Sequence, residues 1–195
     1  MRVISGTAKG FHIKAPGRPT RPATDLVRGA IFSILENMTD NWDLVLDLFS
    51  GSGALGIEAL SRGAKRVIFV EKGRQALRLI QTNLNQFGLA DRSEILPKDA
   101  NRAIGILKQR GEDFDLILMD PPYEKGLVQR TLLKLKTHPI YHGDSILVIE
   151  HNRREPLPRT LEGWNLIRQQ KIGDTLLSFL TLQVRDQATE VRIDS

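Results

Sequence analysis

The chain has 195 residues, 41% of them hydrophobic and 26% charged, a net charge of +5 and no cysteine. That length can bury one sizeable core, and the missing thiols exclude disulfides, thiolate zinc sites, iron–sulfur clusters and a cysteine nucleophile. No apolar run reaches bilayer length and Met1-Arg2-Val3-Ile4 lacks a signal-peptide core, so the reading is a cytoplasmic protein with no membrane partner.

The four histidines, His12, His138, His142 and His151, show no ligand spacing, and no metal is expected. His138 and His142 stand four apart, but Pro139 between them argues against a helix presenting both.

The positive charge is concentrated at one end. Arg2, Lys9, Lys14, Arg18, Arg21 and Arg28 face a single acid, Asp25, within the first 28 residues, so the remainder is neutral overall. A basic segment on a neutral body points to a polyanionic partner, although such segments also serve only solubility.

In chain order, Arg2-Val3-Ile4-Ser5 and Phe11-His12-Ile13-Lys14 flank a Gly6…Gly10 connection and predict a short β-hairpin. Pro16-Gly17-Arg18-Pro19 and Arg21-Pro22 form an irregular link. Thr24 predicts an N-cap with Asp25 in the first turn. The helix it opens carries a stripe of Leu26, Val27, Ala30, Ile31, Ile34 and Leu35, which leaves Arg28 off the stripe to face a ligand or RNA. Strand and helix patterns then alternate. Strands are expected at Leu44–Leu48, Arg66–Glu71, Ser93–Leu96, Phe114–Met119 and Ser145–Glu150. Helices are expected at Ala54–Ser61, after Glu71 to Gly88, from about Ala100 to Arg110, and around Leu127–Lys136. Two further β-like runs, Trp164–Gln170 and Leu176–Leu182, have no helix between them and predict an edge hairpin. This alternation gives an α/β fold with a doubly wound, mainly parallel, Rossmann-like sheet, an antiparallel edge hairpin and a small N-terminal β-hairpin arm.

Two stretches carry chemistry. The first, Asp47-Leu48-Phe49-Ser50-Gly51-Ser52-Gly53-Ala54-Leu55-Gly56, joins a strand to a helix and satisfies G-x-G-x-x-G, with Glu71 twenty residues after Gly51 to hold ribose hydroxyls. A dinucleotide such as NAD fits that pattern. Asp47, however, places a carboxylate where a pyrophosphate would lie. The ammonium and sulfonium of S-adenosylmethionine suit that acid better. Asp99, after the third strand, is placed either to accept from an adenine amine or to cap the helix beginning at Ala100.

The second stretch is Asp120-Pro121-Pro122-Tyr123. Two prolines end a strand buried on both faces. They leave a carboxylate, stiff carbonyls and an aromatic face at its carboxyl end, where open α/β sheets place ligands. Such a corner suits a planar base with an amino edge, although a Pro-Pro turn with a surface Tyr is the plainer alternative. Without a thiol, pyrimidine C5 methylation is excluded. Direct attack by an exocyclic amine on a sulfonium methyl remains possible.

These stretches, with Arg21-Pro22 and Val27-Arg28 upstream and the Arg-Val-Ile-Ser-Gly start, resemble the RsmD family over essentially the whole chain. Those are bacterial methyltransferases that act on the N2 amine of one guanine of 16S ribosomal RNA. The resemblance implies S-adenosylmethionine as cofactor, held by Asp47, Phe49, Gly51, Ser52, Gly53, Glu71, Lys72, Asp99 and Ala100. It implies a base held by Asp120, Pro121, Pro122 and Tyr123, and RNA held by Arg2, Lys9, Lys14, Arg18, Arg21 and Arg28. The partner would be ribosomal RNA or the small ribosomal subunit, met by a monomer with a basic arm (residues 1–20), a methyltransferase domain (21–185) and a charged tail (186–195). Ala23 departs from the threonine common at that place. Physics alone does not choose guanine N2 over adenine N6. A DNA adenine-N6 methyltransferase, an NAD(P)-dependent oxidoreductase and a non-catalytic RNA-binding protein stand as alternatives.

Overall fold

A computed structural model describes residues 1–15, 22–123, 126–158, 161 and 163–182. Five helices and seven strands follow in order: α1 (Pro22–Leu35), β1 (Leu44–Asp47), α2 (Ala54–Ser61), β2 (Arg66–Val70), α3 (Arg74–Gln86), β3 (Ser93–Leu96), α4 (Ala100–Gln109), β4 (Phe114–Met119), α5 (Leu127–Thr137), β5 (Tyr141–Asn152), β6 (Trp164–Ile172) and β7 (Thr175–Leu182). The strands form one sheet in the order β3-β2-β1-β4-β5-β7-β6. The first five are parallel, and β7 runs antiparallel between β5 and β6. The mainly parallel α/β sheet with an antiparallel edge is therefore present as expected.

The strands read as continuous apolar runs because both faces are covered. Side chains alternate across the sheet. Val45, Val67, Phe69, Leu116, Leu118, Ile146 and Val148 enter one core with α1, α2 and α3. Their neighbours Leu46, Ile68, Val70, Ile117, Met119, Leu147 and Ile149 enter the other with α4 and α5. The order reverses between β1 and β4, so the loops leaving these two strands diverge and open a crevice at their carboxyl ends.

The third loop glycine is a packing requirement. A Cβ on Gly56 would stand 2.3 Å from the Phe69 ring, so only glycine lets α2 lie this close to β2.

The predicted hairpin is reduced to a single bridge, Arg2 with His12, and it does not stand apart from the body. Val3, Ala8 and Ile13 are buried in the α1–α3 core. Glu58 and Ser61 of α2 supply the hydrogen bonds that a longer ladder would have made. The Glu58 carboxylate accepts from the backbone N–H of Ile4 at 2.9 Å and of Ser5 at 3.0 Å, and Ser61 Oγ accepts from Ala8 N–H at 2.9 Å. Gly6 has φ +80°, and a Cβ there would lie 1.8 Å from the Ser61 carbonyl oxygen.

Two expectations for α1 are corrected. The helix begins at Pro22, whose missing N–H costs nothing in a first turn. Its buried face is also rotated, leaving Leu26 62% exposed and Arg28 only 2%. Docking of the hairpin on α1 is the cause. The Arg28 guanidinium bonds the Arg2 carbonyl oxygen and pairs with Glu58 at 3.2 Å and Asp25 at 3.0 Å.

Candidate functional site

The loop leaving β1 and the Asp120-Pro121-Pro122-Tyr123 corner leaving β4 face one cavity of about 530 Å³. Its walls include Phe49 and Gly51 from the first loop and Glu71 and Lys72 from the end of β2. Lys98, Asp99 and Ala100 come from the start of α4, all four residues of the corner from β4, and Glu150 from β5. Sequence reasoning anticipated most of this wall. It missed Leu48, Val70, Lys98, Asn101, Leu127, Thr131 and Glu150.

Glu71 shapes the loop directly. Its carboxylate accepts from the backbone N–H of Gly51 at 3.0 Å, Lys72 at 2.8 Å and Gly73 at 2.7 Å. Asp99 is the N-cap of α4, accepting from Arg102 N–H at 3.1 Å, while also lining the cavity. The capping alternative is thus present, and the same residue also faces the cavity.

Ser52 and Gly53 are turned away from the wall. The Ser52 carbonyl accepts from Asn83 Nδ2 at 3.0 Å, and Gly53 backs onto Phe69, Ile80 and Ile57. Asp47 lies wholly buried beneath the loop. One of its oxygens accepts from Gly56 N–H at 3.1 Å, while Oδ1 is buried with no hydrogen-bond partner. Burial first, and the charge of Glu71 second among the raising causes, push its acid up to about 7 despite the Gly56 bond.

The opposite wall carries the same sign. Asp120 lines the cavity and is open to solvent there. Burial raises it well above the ordinary aspartate range, and the charges of Glu150 and then Asp47 add to the rise. Burial likewise raises Glu150. Tyr123 donates its hydroxyl to Glu150 Oε1 at 3.3 Å, and its own ionisation is pushed up to about 12, chiefly by burial. Among the described residues no hydrogen bond reaches the Asp120 carboxylate. Glu71, Asp120 and Glu150 therefore line the cavity with carboxyl groups that have acceptors to spare, and Asp47 lies behind the loop, off the cavity wall. A pyrophosphate would be repelled there, whereas a ligand carrying an ammonium and a sulfonium would be stabilised.

The predicted RNA contacts divide. Arg2, Lys9 and Lys14 are exposed on the hairpin. Lys14 is tied through its backbone to Asn83, which also holds Ser52, so the basic segment adjoins the glycine loop. Arg28 is buried in the hairpin's attachment and is not part of the exposed basic surface. Arg18 and Arg21 lie outside the described residues. Among the described residues no three His, Asp or Glu side chains converge as a metal site, and no helix is long and apolar enough to cross a membrane.

A family model described as conserved hypothetical protein 95 matches residues 1–181. The Bacillus subtilis protein YlbH is 38% identical over 176 residues, covering 90% of this chain and 95% of its own. Ribosomal RNA small subunit methyltransferase D of Escherichia coli is 29% identical over 174 residues, covering 89% of this chain and 85% of its own. The solved structure of Escherichia coli yhhF superposes with a TM-score of 0.81 at 27% identity, over 95% of this chain and 99% of that one.

Proposed function

The chain belongs to the conserved hypothetical protein 95 family, the RsmD family, and on that premise we propose that it methylates the exocyclic N2 amine of a guanine in small-subunit ribosomal RNA. It acts as a cytoplasmic monomer on an assembled or partly assembled small subunit. S-adenosylmethionine is the cofactor, and when bound it supplies an electrophilic methyl on a cationic sulfur. The observation that carries the reading is the cavity wall of carboxyl groups, Glu71, Asp120 and Glu150, backed by Asp47 with its unpartnered buried oxygen beneath the glycine loop.

The residues divide the work by position. Glu71, at the end of β2, holds ribose hydroxyls, and its backbone bonds keep the Gly51 loop open for the ligand. Asp47 contributes charge from beneath the loop. Asp99, Lys72, Phe49 and Ala100 close the adenosine end. Asp120 and the Pro121 carbonyl accept the hydrogens of the target amine, which localises the nitrogen lone pair otherwise shared with the ring. The amine so aligned would be the nucleophile toward the methyl group that the bound cofactor would supply. Positive charge grows on nitrogen and Asp120 stabilises it. Its raised acidity range also makes it the acceptor for the surplus proton. Tyr123 stacks on the base, a contact worth about 1–3 kcal/mol. The guanine must leave its stack to enter. The exposed cations of the hairpin, Arg2, Lys9 and Lys14, meet the phosphate backbone, so affinity falls with salt.

The test has two arms. Calorimetry should detect S-adenosylmethionine and not NAD, and tritiated methyl should pass to small-subunit particles from cells lacking the enzyme. Nucleoside analysis should give N2-methylguanosine at one site. Binding of NAD alone, or N6-methyladenine in duplex DNA with particles inert, refutes the proposal.

A further inference from the structure

Met119 of β4 pairs with Ile149 of β5 in parallel register, so the next residue on each strand is a carboxylate, Asp120 beside Glu150. Neighbouring parallel strands run about 4.8 Å apart, and both carboxylates line the cavity. Like charges so placed are costly, and no described cation pairs with either of them. Glu150 is held in one orientation by the Tyr123 hydroxyl on Oε1. Among the described residues its Oε2 accepts no hydrogen bond. The corner thus offers only acceptors: two Asp120 oxygens, the Pro121 carbonyl and Glu150 Oε2.

That pattern distinguishes bases by hydrogen count. The guanine edge presents N1–H beside N2–H₂, so every group it turns toward this wall is a donor. The adenine edge presents N6–H₂ beside a bare N1 lone pair, which would face a carboxylate with no hydrogen between them. Where a buried site is built to hydrogen-bond one group, an analogue without it is strongly rejected, because the protein partner is left unpaired. We infer that Glu150 is a specificity-determining residue that accepts from guanine N1–H while Asp120 holds the N2 amine, with Tyr123 fixing Glu150 from behind. This rests on the guanine-N2 reading above.

The discriminating probe is 2-aminopurine, which keeps the reactive N2 amine but carries a lone pair in place of N1–H. Small-subunit particles are reconstituted with guanine or 2-aminopurine at the base that the wild-type enzyme methylates, and kcat/KM is measured for each. The wild type should prefer guanine by on the order of a hundredfold or more. Glu150→Gln preserves shape and can donate to the 2-aminopurine N1, so its preference should shrink to within about tenfold, by loss on guanine and gain on 2-aminopurine. Tyr123→Phe frees Glu150 but leaves its charge, and should weaken the preference less than Glu150→Gln does. Calorimetry with S-adenosylmethionine reports whether each variant is folded. An unchanged guanine preference in Glu150→Gln overturns the inference while leaving the proposed function standing. A wild-type enzyme that makes no N2-methylguanosine removes the functional reading itself, and this inference with it.

Discussion

Asp47→Asn should stabilise the ligand-free protein, and by an amount that depends on pH. In the wild type the acid is raised from its ordinary 3.8 to about 7 by burial, which outweighs its bond from Gly56 N–H. The folded protein therefore binds this proton more tightly than the unfolded chain does. Below about pH 4 the group is protonated in both states and costs nothing. As pH climbs to about 7 the unfolded chain ionises freely while the folded state resists, and the penalty grows. Above about 7 it is constant. At 1.36 kcal/mol per pH unit, the gap is about 4 kcal/mol. Asparagine removes the charge, and its amide oxygen can still accept from Gly56. For a domain of this size, about 2–4 °C per kcal/mol puts the variant roughly 8–16 °C above the wild type at pH 8, with the difference fading toward pH 4. Thermal melts across that range measure it, and comparison within one pH cancels the titration of all other groups. S-adenosylmethionine should raise the wild-type melting temperature more than the variant's, because its cations oppose a charge that only the wild type has. A difference that does not vary with pH, or a variant less stable at pH 8, would refute the account of Asp47 as a strained buried charge.

Three further outcomes follow from other parts of the molecule. Glu58→Ala should cost about 3–5 kcal/mol in urea unfolding, because it takes the buried carboxylate away from Arg28 and Arg62 and frees the N–H groups of Ile4 and Ser5; a loss under about 1 kcal/mol would contradict it. Asn83→Ala should cost about 1–3 kcal/mol and also weaken S-adenosylmethionine in calorimetry, since one side chain ties Lys14 to Ser52; unchanged affinity would uncouple the hairpin from the loop. The acid limb of kcat/KM should lie above the ordinary aspartate range, because Asp120 must ionise to accept a proton and its environment raises it. Glu150→Gln removes one cause of that rise and should move the limb to lower pH, and an unmoved limb would assign it to another group.

Much of the fold was legible because β and helical periods alternate cleanly and each strand ends in a recognisable turn. The glycine loop and the Pro-Pro corner announced themselves through residues whose backbone permits little else. What escaped depended on neighbours distant in sequence. A helical wheel placed Arg28 outside, since the wheel cannot know that residues 2–5 fold back onto that face. Glu58 offered a signal that was passed over, an acid in the apolar run Ala54–Ser61, which is hard to place unless a buried cation and free backbone N–H groups await it. Glu150 looked like the charged end of a buried strand. Its relation to Asp120 exists only because β5 lies next to β4, and local sequence does not state strand order.

The attachment of the basic hairpin also sets an order of events during synthesis. Its anchors are Glu58 and Ser61 on α2 and Asn83 on α3, the last 69 residues beyond Lys14. At about 5–20 residues per second, the ribosome needs on the order of several seconds to make that stretch. Through that interval Val3, Ala8 and Ile13 have no core to enter and the neighbouring cations have no surface to sit on. The segment made early is thus among the parts that settle late, and each nascent chain carries a sticky, positively charged end past the ribosome's own RNA until α3 has emerged.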